Sequence, residues 1–109
     1  MACILIIEDN PDNMELMSYL LKAFGHFVLK ADDGLDGLTM VEHESPELII
    51  CDVHLPKFDG YEVARRLKAI TESKYIPLIA VTALAMVGDR DKLLAAGFDS
   101  YISDVVKTD

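Results

Sequence analysis

No stretch of this sequence carries enough Lys or Arg to follow a run of phosphates: ten basic residues stand against nineteen acidic ones, for a formal net charge of −9. That balance argues against direct nucleic-acid binding, because such surfaces are built from clustered cations. Long apolar runs are lacking too. None approaches the roughly 20 residues that a membrane-spanning helix needs, and Met1 leads straight into a strand-like segment with no cationic leader. No membrane insertion is expected, and the cytoplasm is the expected compartment. Cysteine is scarce: Cys3 and Cys51 are the only two. At opposite ends of parallel strands they would lie ~15 Å apart, beyond disulfide reach, and they read as small buried hydrophobes in a reducing compartment. Linkers, low-complexity segments and internal repeats are absent as well. The 109 residues are expected to form one domain, 1–109, around one hydrophobic core.

What is present is an unbroken alternation of strand and helix. Cys3 to Ile7 is a short apolar run, partly β-branched, that ends in Glu8-Asp9-Asn10-Pro11, the pattern of a buried strand entering a polar turn. Asn10 is placed to cap a helix with Pro11 at its first position. Met14, Met17, Leu20, Leu21 and Phe24 then recur at helical spacing until Gly25, and such a stripe is more often core than partner surface. The pattern repeats as strand 26–31, helix 35–44, strand 47–51 ending in Asp52, helix 61–70 and strand 76–81. A further helix opens at Gly88 or Asp89 and stops at Gly97, and residues 100–103 make a last strand. Near-continuous apolar strands separated by helices indicate a parallel sheet covered on both faces, a doubly wound α/β domain.

In an open parallel sheet, ligands bind beyond the carboxyl ends of the strands. Here those ends carry Glu8 and Asp9, then Asp52, then Thr82-Ala83. Three carboxylates at one mouth repel and raise each other's pKa unless a cation sits among them. Oxygen-only ligation suits Mg2+ better than zinc, for which His and Cys ligands are absent at the mouth. Beside such an ion a carboxylate can attack a phosphoryl group, giving an aspartyl phosphate. Thr82 could then hydrogen-bond a phosphoryl oxygen and draw its loop inward, which is a switch. Taken singly, each residue has a plainer explanation: an acidic pair after a strand is more often a solvated turn or a helix cap, and a lone Thr is structural. Their joint placement at three strand ends carries the functional reading. His54 beside the site reads as an exposed loop residue rather than a ligand through its ring. His26 and His43 read as incidental, Lys57 and residues 65–68 as solvated charge, and Pro56 and Gly60 as turn chemistry. A phosphate-cradling cofactor binder would need a Gly-, Ser- or Thr-rich loop after the first strand, where Glu8-Asp9 would repel the phosphate. A phosphatase working through an aspartyl phosphate would want a second carboxylate two residues after its nucleophile, where this chain has His54.

Glu8-Asp9, Asp52, the segment Leu55-Pro56-Lys57-Phe58-Asp59-Gly60, Thr82-Ala83, Ala96-Gly97 and Tyr101 together resemble the landmarks of response-regulator receiver domains of two-component signalling, over nearly the whole chain. The resemblance implies a flavodoxin-like five-stranded sheet in the order 2-1-3-4-5 with helices on both faces. It implies Asp52 as phosphoacceptor, Mg2+ held directly by Asp9, Asp52 and the backbone carbonyl of His54 and through water by Glu8, and Thr82 with Tyr101 as the switch pair. It further implies a histidine kinase or histidine phosphotransfer protein as phosphodonor, a downstream protein target, and no enzymatic activity beyond the domain's own phosphorylation and dephosphorylation. The run 80–86 with Tyr101-Ile102-Ser103 is similar to single-domain receivers of cell-cycle relays. Two family features are missing. Where receivers carry a Lys, usually followed by Pro, after the fifth strand, this chain has Asp104-Val105, with Lys107 the nearest substitute, and no fifth helix follows. Divergence, truncation or a stretch missing between Ser103 and Asp104 would each account for both. Without that helix one sheet face would be open, with a homodimer as one outcome. The alternative functional reading is a receiver-like interaction module without a phosphorylation cycle.

Overall fold

Ile4, Leu5, Ile6 and Ile7 are four consecutive aliphatic residues, and all four are buried, which only a strand covered on both faces allows. In the computed structural model, which describes residues 2–82 and 89–103 (backbone alone for Asp89 and Ser103), they form β1 (Cys3–Ile7). It pairs in parallel with β2 (Phe27–Ala31) on one side and β3 (Leu48–Asp52) on the other; β4 (Leu78–Thr82) and β5 (Ser100–Ser103) complete the sheet in the order β2-β1-β3-β4-β5. The helices between them are α1 (Pro11–Ala23), α2 (Gly34–Glu44), α3 (Gly60–Ala69) and α4 (Asp89–Ala96). This is the expected doubly wound order, and each boundary falls within two residues of its sequence-based position. The readings that involved Ala83, residues 84–86, Gly88, Asp104, Val105, Lys107 and a fifth helix lie outside the described residues. No described helix is long and apolar enough to cross a membrane.

Alternation along the strands divides the apolar residues between two faces. Leu5, Ile7, Ile49, Cys51 and Ala80 join Val41 of α2, Val63 and Leu67 of α3 and Leu93 of α4 in the main core. Ile4, Ile6 and Ile50 face the other way, where α1 packs over β1 and β2. Cover thins along that second face, from Ile6 at 0% exposed to Ile102 on β5 at 51%. Its openness explains a departure from expectation on α1. Ser18 is the buried residue of that helix, Met14, Met17 and Leu21 are half-buried, and Leu20 and Phe24 are exposed. Among the described helices α1 alone lies on this face, so only a narrow strip of its stripe finds sheet to cover.

Each of the first three helices begins with a side-chain cap: Asn10, Asp33 and Asp59 accept from the backbone N–H three residues on, at 3.0, 2.7 and 3.0 Å. Gly25, at φ +88°, lets the chain turn off α1 in a conformation that disfavours other residues. Asp59→Ala removes the α3 cap and is expected to cost about 1 kcal/mol, read as a lower urea midpoint at unchanged slope. A midpoint equal to wild type would show that solvent replaces the cap.

Lys68 departs from its reading as solvated charge. Its Nζ donates to the carbonyls of Lys74 and Ile76, both at 3.1 Å, and to Asp99 Oδ2 at 3.2 Å, while the same Asp99 oxygen accepts the Leu78 N–H at 2.8 Å. One ammonium thus ties α3 to the starts of β4 and β5. Arg65 and Arg66 do stay exposed, both paired with Glu62, and Lys57 is exposed at φ +64°. Cys3 and Cys51 are free thiols. Cys51 is in register with Ile7, at the far end of β1 from Cys3.

Candidate functional site

The register of the three central strands brings the acidic residues together. Ile7 pairs with Cys51 and Asp52 with Val81, so Glu8, Asp52 and Val81 lie in one row across the sheet, and Asp9 and Thr82 lie one step beyond it. Carboxylate oxygens of Glu8, Asp9 and Asp52 all lie within 4.8 Å of one another. Glu8 continues the ladder past β1, its N–H donating to Ala31 O at 3.0 Å, and the residue is 3% exposed. Asp9 is exposed and Asp52 half-buried.

Burial dominates the chemistry of Glu8. It pushes the carboxyl up to about 7, helped by the neighbouring charge and hydrogen bond of Asp52 and by Asp9, and opposed by the Asn10 N–H, which donates to Oε2 at 3.1 Å. The His54 N–H donates to Asp52 Oδ1 at 3.0 Å and orients that carboxylate. The His54 ring is exposed and stands outside the acidic cluster. Burial likewise pushes the Cys51 thiol up, so it stays protonated, and its Sγ–H donates to Asp52 O at 3.3 Å.

Thr82 is buried at the end of β4 and in register with Ser103. Tyr101 is in register with Ala80, two residues short of the mouth, and packs half-buried against the core. The expected site residues from β1, β3 and β4 therefore share one end of the sheet, with Tyr101 lower on the neighbouring strand. Reading the sequence missed the part played by Gly60. A Cβ there would come within 2.5 Å of Asp52 O and 2.7 Å of Val53 Cα, backbone atoms that cannot move aside. Glycine lets α3 begin directly against the end of β3, where the Gly60 N–H donates to Val53 O. The local signal was Asp59-Gly60 opening an amphipathic helix, which says turn but not close approach.

The donor set is oxygen-only, crowded and anionic, with one member open to solvent. It fits a hard divalent cation of the Mg2+ class better than a thiolate- or imidazole-seeking metal.

Comparison with known proteins agrees with this geometry. Residues 4–109 match the response regulator receiver domain family. The chain is 40% identical over 100 residues to the polar-differentiation response regulator DivK of Brucella anthropi, covering 92% of this chain and 81% of that protein, and matches DivK of Brucella ovis to the same extent. The receiver domain of the sensor histidine kinase PA1611 from Pseudomonas aeruginosa, solved with a magnesium ion in its active site cleft, superposes with a TM-score of 0.88 at 34% identity, covering 97% of this chain and 87% of that one. The chemotaxis response regulator CheY4 of Vibrio cholerae shares the fold, with a TM-score of 0.91 at 23% identity, covering 96% and 88% of the two chains. The chain belongs to the response regulator receiver family of two-component signalling, whose members are regulators rather than conventional enzymes.

Proposed function

We propose that this chain is a phosphorylation-operated switch of the cytoplasm, in which Asp52 accepts a phosphoryl group from a phosphohistidine on a histidine kinase or histidine phosphotransfer protein. The convergence of Glu8, Asp9 and Asp52 within 4.8 Å at one end of the sheet carries the reading. Asp9, Asp52 and the backbone carbonyl of His54 would hold Mg2+ directly and Glu8 through water, and the related PA1611 receiver has magnesium in its active site cleft. When bound, the ion offsets negative charge on the phosphoryl oxygens.

The remaining work falls to the chain's own groups. The Asp52 carboxylate, oriented by the His54 N–H, forms an oxygen–phosphorus bond as the donor's nitrogen–phosphorus bond breaks, and the imidazole nitrogen leaves with the electron pair. The Thr82 hydroxyl then donates to a phosphoryl oxygen and draws the end of β4 inward. Tyr101 on adjacent β5 follows, which changes the surface that a downstream protein reads.

Acetyl phosphate with Mg2+ tests the proposal. The intact mass gains one phosphoryl group, carried on the peptide containing Asp52, and EDTA prevents the gain. Millimolar Mg2+ raises the thermal midpoint, and Asp9→Ala removes most of that rise. No mass gain at saturating donor assigns the chain to the interaction modules that lack a phosphorylation cycle, a reading favoured by Asp104 standing where the family usually has Lys.

A further inference from the structure

The excess negative charge sits in one half of the chain. Residues 1–56 hold eleven acidic and two basic side chains, and residues 57–109 hold eight of each. α2 lies in the first half and has no Lys or Arg. Between α2 and α3 runs a groove of about 790 Å³, and none of the acidic-cluster residues lines it. Its walls are apolar, from Leu38, Leu67, Ile70 and Ile76, and Leu35 at one end is 63% exposed. Glu42 on α2 and Glu72 just past α3 line it too, and both are exposed. The C-terminal end of α2, the negative end of its dipole, meets the groove at Ser45.

Among the described lining residues Arg66 is the one cation, and it shares the Glu62 carboxylate with Arg65. Arg66 Nε pairs with Glu62 Oε2 at 2.9 Å, and its guanidinium lies 4.7 Å from the centre of the Phe58 ring. The groove is thus an apolar trough lined by two carboxylates, Glu42 and Glu72, against the one guanidinium of Arg66. Its complement is an apolar helix face flanked by cations.

We propose that the α2–α3 groove docks a partner protein through such a segment, an amphipathic helix with apolar anchors and flanking Lys or Arg. The site is separate from the acidic mouth and does not depend on phosphorylation of Asp52.

The test is titration of the full chain with a short Leu/Lys amphipathic helical peptide, with a Leu/Glu peptide as control, followed by amide chemical shifts and calorimetry. The Leu/Lys peptide is expected to saturate, to shift amides of residues 35–46 and 66–76, and to leave α1 unmoved. Glu42→Lys with Glu72→Lys reverses two charges beside the groove and weakens binding by at least about tenfold. Asp12→Lys with Glu15→Lys makes the same change in net charge on α1 and leaves binding within about twofold. Both pairs are exposed, so the fold should survive either. Equal loss from the two pairs, or shifts spread over the whole acidic half, would mean unspecific attraction and overturn the proposal. So would equally tight binding of a neutral apolar probe by wild type and the Glu42/Glu72 variant, which would mark a bare cavity. Self-association of the free chain through the same amides would give the groove to a second copy, and would also overturn it.

Discussion

Asp52→Asn abolishes phosphorylation and leaves the protein more stable than wild type when Mg2+ is absent. The first half follows from chemistry: an amide oxygen is too weak a nucleophile to take the phosphoryl group, so labelling by acetyl phosphate or by a kinase falls below detection. The second half follows from geometry. Asn keeps an oxygen for the His54 N–H, now held at 3.0 Å by Asp52 Oδ1, while one of three carboxylates crowded within 4.8 Å loses its charge. Removing that repulsion should add on the order of 1–3 kcal/mol near pH 8. Urea denaturation in EDTA measures the gain, and intact mass measures the label. Wild-type labelling of the variant would remove Asp52 from its proposed role; unchanged stability would mean that solvent already screens the cluster.

The second large effect is a pH dependence that Mg2+ erases. Glu8 binds its proton more tightly in the fold, about 7 against an ordinary 4.5. The unfolded chain therefore releases this proton first as pH rises, and folding stability falls between roughly pH 4.5 and 7. Above pH 7 the metal-free fold bears the cost of an ionised, buried Glu8, on the order of 1–3 kcal/mol after solvent screening. Mg2+ favours the ionised carboxyl, so it stabilises strongly at pH 8 and little at pH 5. Glu8→Gln keeps an acceptor for the Asn10 N–H and carries no titrating proton. In EDTA, wild type should lose stability relative to Glu8→Gln as pH rises from 5 to 8. Parallel curves for the two proteins would show that Glu8 does not titrate in this window.

Much of this architecture is legible in local pattern. Apolar runs such as 3–7 and 78–82, separated by capped helices, announce strands buried on both faces, and the acidic residues at two of their ends announce a site. The strand order rests on the resemblance to receivers, because nothing within Leu48 to Asp52 says that β3 lies beside β1. Properties set by distant partners are not written locally. The Met14, Met17 and Leu21 stripe has helical spacing, yet how deeply it is buried depends on how much of the sheet lies beneath α1. Lys68 resembles any cation on a helix, and its partner Asp99 comes 31 residues later. Glu8 and Asp9 look equivalent as neighbours in sequence. The sheet separates them, because Glu8 still hydrogen-bonds to Ala31 while Asp9 has passed into solvent.

The tie made by Lys68 and Asp99 determines how the far end of the sheet can move. It grips β4 at Leu78 and β5 just before Ser100, at the end of the sheet opposite Thr82. The two strands are therefore anchored at that end and joined along their ladder from Ile79–Ser100 to Thr82–Ser103, so a pull on Thr82 is a pull on β5 as well. Displacement is greatest at the Thr82–Ser103 pair and falls off towards Leu78. Its outlet is sideways, through α4, which packs on β5.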